Sequence, residues 1–204
     1  MAVHRADGED RRVQRGRATR EKLVATARRL FGRDGYEATS VEAVLREAGV
    51  ARGSLYHHFE SKPALFDAVV DRVVAETAAE AAAAAARHDD PVEALRAGCA
   101  TWLRLSLDPA VQQIALVDAP AVLGWSRWRE LDEQYTLGGV RRSLQRLADD
   151  GRVPATQVDS LANMLLAAVG EAALLIVSAD DPEEALASGL AAFDTLLDRL
   201  VRSE

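Results

Sequence analysis

Four side chains between residues 52 and 62 could hydrogen-bond DNA: Arg52, Ser54, Tyr56 and Lys62. A guanidinium matches the acceptor edge of guanine, a serine hydroxyl reaches a base or a phosphate, and a tyrosine hydroxyl or an ammonium reaches phosphate. The small residues from Ala51 to Ser54 would let a helix end approach the duplex closely. Other chemistry is poorly provided for. His57 and His58 are adjacent, and neighbours on a helix point about 100° apart, so they cannot chelate one metal ion together. His4 falls in a polar tail and His88 in an inter-helix loop. There is no nucleophile elbow, Gly-rich phosphate loop, HExxH pair or acid–base cluster around a histidine, so neither an enzyme nor a cofactor or metal site is expected. Cys99 is the one cysteine. It excludes an intramolecular disulfide, fits a reducing compartment and is expected in the core.

The DNA-reaching residues need a short helix held rigidly. A helix-turn-helix does this with a glycine at the turn and apolar residues locking two helices together. Gly49 can supply the turn, and Val44, Ala48, Val50 and Leu55 the lock. Before them a first helix is expected from about Thr19 to Arg33. Leu23, Val24, Ala27, Leu30 and Phe31 recur on one face there, and Gly35 ends it. Thr39 with Glu42 has the spacing of a capping box and starts a second helix, running to Ala48. The third covers 51–57. Ser61 caps a fourth, with Lys62 and Pro63 in its first turn, which continues through the Ala-rich run at 78–86. Phe31 and Phe59 are expected as core anchors of this small head.

Beyond it, Asp90-Pro91 and Asp181-Pro182 each place a capping carboxylate before a proline, with a second carboxylate following at Glu93 and at Glu184. Helices are expected at about 91–106, 109–121, 124–149, 156–178 and 182–202, an all-α chain of about nine helices. The division expected is a disordered basic arm at 1–16, a helix-turn-helix head at 17–62 and a body at 63–204. The most apolar stretch, 161–177, is shorter than the roughly 20 residues of a membrane span and carries Asn163 and Glu171, so it is expected as a buried helix. The N-terminus lacks the apolar region of a secretory signal, which makes the cytoplasm the expected location.

The net charge is −7, which by itself argues against a nucleic-acid partner. Its distribution argues otherwise. Residues 1–62 hold 13 Lys+Arg and 9 Asp+Glu, a balance of +4, whereas residues 63–204 hold 12 and 23, a balance of −11. A basic end on an acidic body suits a DNA-binding head.

The segment GVARGSLYHHFESK at 49–62, preceded by Leu30-Phe31, Gly35-Tyr36 and Thr39-Ser40-Val41, resembles the N-terminal signature of the tetracycline-repressor (TetR) family. The similarity is specific over about residues 18–66. It implies DNA contact by Thr39, Ser40, Arg52, Gly53, Ser54, Tyr56, His57 and Lys62, with His58 in a lesser role. Two positions depart from the family pattern: Leu45 stands where a small alanine is common, and Ala51 where a serine or threonine usually caps the recognition helix.

The same resemblance implies that the body is a sensor for a small, largely apolar molecule. Trp102, Trp125, Trp128 and Tyr135 are its candidate lining, with Gln113 and Asp118 as polar groups. The last two helices carry apolar residues on more than one face, which calls for a second partner. Leu161, Leu165, Ala168, Ala172 and Leu175 form one stripe. Leu190, Phe193 and Leu197 belong to the other, while Met164, Leu174, Ala187 and Leu196 are left over. The resemblance makes that partner a second copy, joined as a four-helix bundle. The expected function is therefore regulated binding to double-stranded operator DNA, most often as a repressor. The competing reading is a helical ligand-binding or scaffolding module with a non-functional head.

Overall fold

The structure is a computed structural model that describes residues 3–201, with side chains from residue 14 onward. The described residues are helical and contain no strand. Helix α1 spans Val3–Ala38, α2 Val41–Ala48, α3 Arg52–His58, α4 Lys62–Ala85 and α5 Pro91–Leu105. A nearly continuous helical run follows. It comprises α6 (Pro109–Val111), a π-helical segment (Gln112–Asp118), α7 (Ala119–Leu131), a second π segment (Asp132–Leu137) and α8 (Gly138–Asp149). A 3₁₀ turn at Ala155–Gln157 leads into α9 (Val158–Val177), and α10 is Pro182–Leu200. Gly124, at φ 78° and ψ 167°, kinks the long run where the sequence places a break between two helices.

Most helix starts have a local cause. Asp90, Asp108 and Asp181 each accept two backbone N–H groups of the first turn, and each is followed by proline. A capping carboxylate satisfies donors the helix cannot, and its charge suits the positive helix end. Ser61 caps α4 by accepting from Ala64 N at 3.2 Å. The cap of α2 is Ser40, accepting from Ala43 N at 3.1 Å, and not the expected Thr39.

The N-terminal region differs from expectation. Helix α1 begins at Val3, far ahead of Thr19, so residues 3–16 have helical backbone where a disordered arm is expected. This Arg-, Gln- and Glu-bearing stretch has no proline, and helix already nucleated by the packed part propagates into it at little cost. Met1 and Ala2 of the expected arm lie outside the described residues.

Two apolar clusters hold the molecule. The first joins Leu23, Ala27, Leu30 and Phe31 of α1 to Val44, Leu55 and Phe59, continues along α4 from Leu65 to Val74, and reaches Ile114 and Leu131. The second joins α5, α8, α9 and α10 through Leu103, Leu144, Leu147, Ile176 and Leu197. Phe31, Phe66 and Tyr36 pack against one another in the first, with ring centroids 4.8–5.7 Å apart, Phe31 stacked on Tyr36 and edge-on to Phe66. The head therefore shares its core with the helix that leads into the body. Cys99 is buried in the second cluster, and burial pushes its thiol up to about 12, which makes it inert.

On α9 the buried stripe is Val158, Ala162, Leu165, Val169, Ala173 and Ile176. The opposite face is apolar as well. Within the 23-residue helical stretch Ala155–Val177, an 18-residue window has mean hydropathy 1.9 and is only 28% buried. By length and composition alone it could cross a membrane, and less than a third of it is buried where a buried helix is expected. The reason is that its second face, with Met164 65% and Leu175 62% exposed, is left uncovered among the described residues.

Candidate nucleic-acid interface

Helix α2 is braced against α1 by Val44, Leu45 and Ala48, and it ends at Gly49, whose φ of 61° is the left-handed geometry glycine tolerates. The N–H of Val50 then bonds Leu45 O at 3.1 Å, and α3 sets off two residues later. Leu45 fits although it is larger than the family's usual residue: it is 8% exposed. Ala51, at the N-cap of α3, makes no side-chain cap bond.

Only Leu55 of α3 is buried, and the other positions face outward in whole or part. Arg52 is exposed, pairs with Glu42 at 3.2 Å, and lies over the Tyr56 ring at 5.6 Å. Tyr56 is 45% exposed, His57 is exposed and Ser54 is half-buried. Gly53 stands in open space, since a Cβ there would meet nothing within 4 Å. Lys62, in the first turn of α4, holds its ammonium 4.0 Å from the centre of the Tyr36 ring. Ser40 is exposed at the start of α2. The arrangement presents donors and one small residue on a short helix anchored by Leu55, with two further polar groups at neighbouring helix starts.

Thr39 does not join this surface. It is 2% exposed and its hydroxyl donates to Gly35 O at 2.8 Å, closing the corner between α1 and α2. In this position it holds the local corner, because a buried hydroxyl takes the nearest backbone acceptor. His58 turns inward, toward a cleft of about 470 Å³ that it lines with Arg20, Glu60, Asp67, Asp71 and Arg127. Burial, then the charges of His57 and Arg20, hold its imidazole below the ordinary value of 6.5. Among the described residues no group of three or more histidine, cysteine or carboxylate side chains could hold a metal ion.

The expected pocket residues do not converge. Trp102 packs against the second cluster, while Trp128 and Tyr135 pack against the first. Trp125, just past the kink, is 68% exposed. The Tyr135 hydroxyl bonds Asp71 on α4 at 3.0 Å, and Arg127 bonds Asp67 at 2.7 Å, so this face of the body is fastened to α4. Gln113 and Asp118 sit against Gly35 and Tyr36 at the end of α1. Neither the head-side cleft nor a second one of about 300 Å³ between α5 and α10 is lined by any of the six. Aromatic content marks the helices but not the direction each ring takes.

The expected interface stripe is also redistributed. Leu165, Phe193 and Leu197 are buried within the chain, and Leu161, Ala172 and Leu190 are half-buried. Ala168 and Leu175 are exposed, Leu175 at 62%, beside Met164 at 65% and with Leu174 and Leu196 at 45%. The outward apolar face is thus built largely from residues the sequence leaves over.

Residues 92–200 match the family model described as tetracyclin repressor-like, C-terminal domain, and residues 23–69 match that of bacterial regulatory proteins, tetR family. The Tn10 TetC protein of Escherichia coli is 24% identical over 156 residues, covering 73% of this chain and 75% of its own. UidR of E. coli strain K12 is 36% identical over 52 residues, 26% of each chain. A TetR-family transcriptional regulator from Pectobacterium atrosepticum has a solved structure 33% identical to this chain. It matches with a TM-score of 0.80 over 93% of this chain and 97% of its own.

Proposed function

The chain belongs to the TetR family of bacterial regulatory proteins, and on that premise we propose that it is a homodimeric repressor whose α3 reads a near-palindromic operator. Residues 17–62 are the reading head. Residues 63–204 dimerise and answer to a small, largely apolar effector that releases the DNA. The family and its fold are those of transcription regulators and not of enzymes.

The observation that carries the reading is the outer face of α3, with Arg52 and Tyr56 exposed, Gly53 in open space and Leu55 alone anchoring the helix. Arg52 would exchange its exposed pairing with Glu42 for a guanine edge, and exposed ion pairs are weak enough to be exchanged. Ser54, Tyr56, His57, Lys62 and Ser40 would meet phosphate or bases around it. The outward apolar face of α9 and α10 supports the dimer, which would set two recognition helices about 34–36 Å apart. The same face accounts for the hydropathy of α9 without a membrane. The effector is supported by the family alone.

The test is selection of duplexes from a random-sequence library by the full-length protein, followed by two variants on the selected duplex. Arg52→Ala should lose about 1–3 kcal/mol and relax base choice at one position, whereas Lys62→Ala should weaken all sequences alike and reduce the salt slope by about one. Equal loss on every sequence for both variants would remove Arg52 from base reading; selection of no duplex would remove the reading as a whole.

A further inference from the structure

Helix α1 does not end cleanly. At Gly35 the backbone takes φ 80° and ψ 167°, geometry that belongs to glycine and breaks the helical ladder. The peptide that follows presents the Tyr36 N–H outward, and the acceptor it finds is Oδ2 of Asp118 on the body, 2.8 Å away and 82 positions along the chain. Gln113 closes on the same corner, its amide nitrogen 3.2 Å from where a Gly35 Cβ would stand. One turn earlier α1 and α6 touch so closely that a Cβ on Gly32 would lie 2.7 Å from the Ala110 Cβ.

Two candidate DNA contacts hang from this corner. The Gly35 carbonyl accepts from Thr39, the residue before the N-cap Ser40, and the Tyr36 ring carries the Lys62 ammonium on its face. Asp118 closes the π segment Gln112–Asp118, whose wide turns set the direction of its carboxylate. In α register that carboxylate would be turned by about 100° per residue of slip.

We propose that Asp118 is a positioning residue for DNA binding: by accepting the Tyr36 N–H it fixes the α1–α2 corner from which Ser40 and Lys62 reach phosphate. The proposal rests on the regulator reading given above. The body thereby holds the reading end of the head through one carboxylate, in addition to the shared apolar core. An ionised acceptor on a part-buried amide is among the stronger hydrogen bonds a fold can make, and it has a direction that apolar packing lacks.

The experiment uses the full-length protein and the duplex that the wild type selects from the library. Asp118→Ala is expected to weaken binding about tenfold, while Asp118→Asn, which keeps an acceptor oxygen at the same reach, stays within about twofold of wild type. In a Lys62→Ala background the Asp118→Ala loss should shrink to below about threefold, because the two act through one corner. Hydrogen exchange of the Tyr36 amide reads the contact directly and should quicken in the alanine variant only. Wild-type affinity in Asp118→Ala, an asparagine variant as weak as the alanine one, or an undiminished loss in the Lys62→Ala background would each overturn the proposal. Should Asp118→Ala lose its cooperative melt, Asp118→Glu replaces it; its longer reach should also weaken binding, and wild-type affinity there would equally overturn the role. A wild type that selects no duplex would overturn the regulator reading and this role with it, and is told apart by the absence of any binding to compare.

Discussion

Single residues in this protein often do work their type does not announce. Thr39 has the hydroxyl and the position of a DNA contact, yet it bonds Gly35 O, and Asp118 has the look of a pocket group, yet it holds a backbone amide of the head. In both cases a nearby backbone group left over at a helix end is the stronger claimant. Asp132 illustrates the opposite case, a carboxylate with too little to satisfy it. Burial raises its pKa from 3.8 to about 6, against a smaller opposing effect of Arg129. The folded state then binds a proton more tightly than the unfolded chain, so stability falls as pH rises from about 4 to about 6 and the cost is complete above that. Asp132→Asn is expected to raise stability at pH 7.5 by on the order of 1 kcal/mol, discounted for partial exposure, and to change little near pH 4. Urea unfolding at the two pH values checks this, and equal effects at both would contradict it.

At the scale of elements, the caps decide where helices begin and the glycines where they turn. Asp90, Asp108, Asp181, Ser40 and Ser61 all satisfy first-turn N–H groups, whereas α3, the second helix of the helix-turn-helix, follows Ala51 without a side-chain cap. That helix has only seven residues and one buried side chain, Leu55, so its own stability is small. Ala51→Ser should add a bond to the first turn and stabilise the protein by about 1 kcal/mol, with the direction checked by the denaturant midpoint. No gain would mean that the φ and ψ of residue 51 hold the hydroxyl out of reach.

Across the whole molecule, α4 belongs to the head by its start and to the body by its length, and both apolar faces of α9 must be accounted for. Leu175 and Leu197 separate the two kinds of apolar contact. Leu197 is fully buried within the chain, and Leu197→Ala should cost about 2–5 kcal/mol in stability. Leu175 is 62% exposed, and Leu175→Glu should leave the fold of one chain intact while shifting the assembly toward monomer in sedimentation. A Leu175→Glu protein that sediments as wild type would place the interface elsewhere.

The sequence by itself determined the helical class, the helix starts at Asp90, Ser61 and Asp181, the turn at Gly49 and the family. These are local matters, written in the spacing of apolar residues at 3.6 per turn and in caps that act within three residues. It also named Phe31, Phe59 and Leu55 as core and Arg52, Gly53 and Tyr56 as outward, because one short motif holds them all. Tertiary structure alone decided which stripe of α9 and α10 is core, that the six pocket candidates face different ways, and that Asp118 meets Tyr36 across 82 positions of chain. A helix with two apolar faces has no local signal for which one its own chain will cover. The direction of a half-buried side chain likewise depends on crossings between helices far apart in sequence.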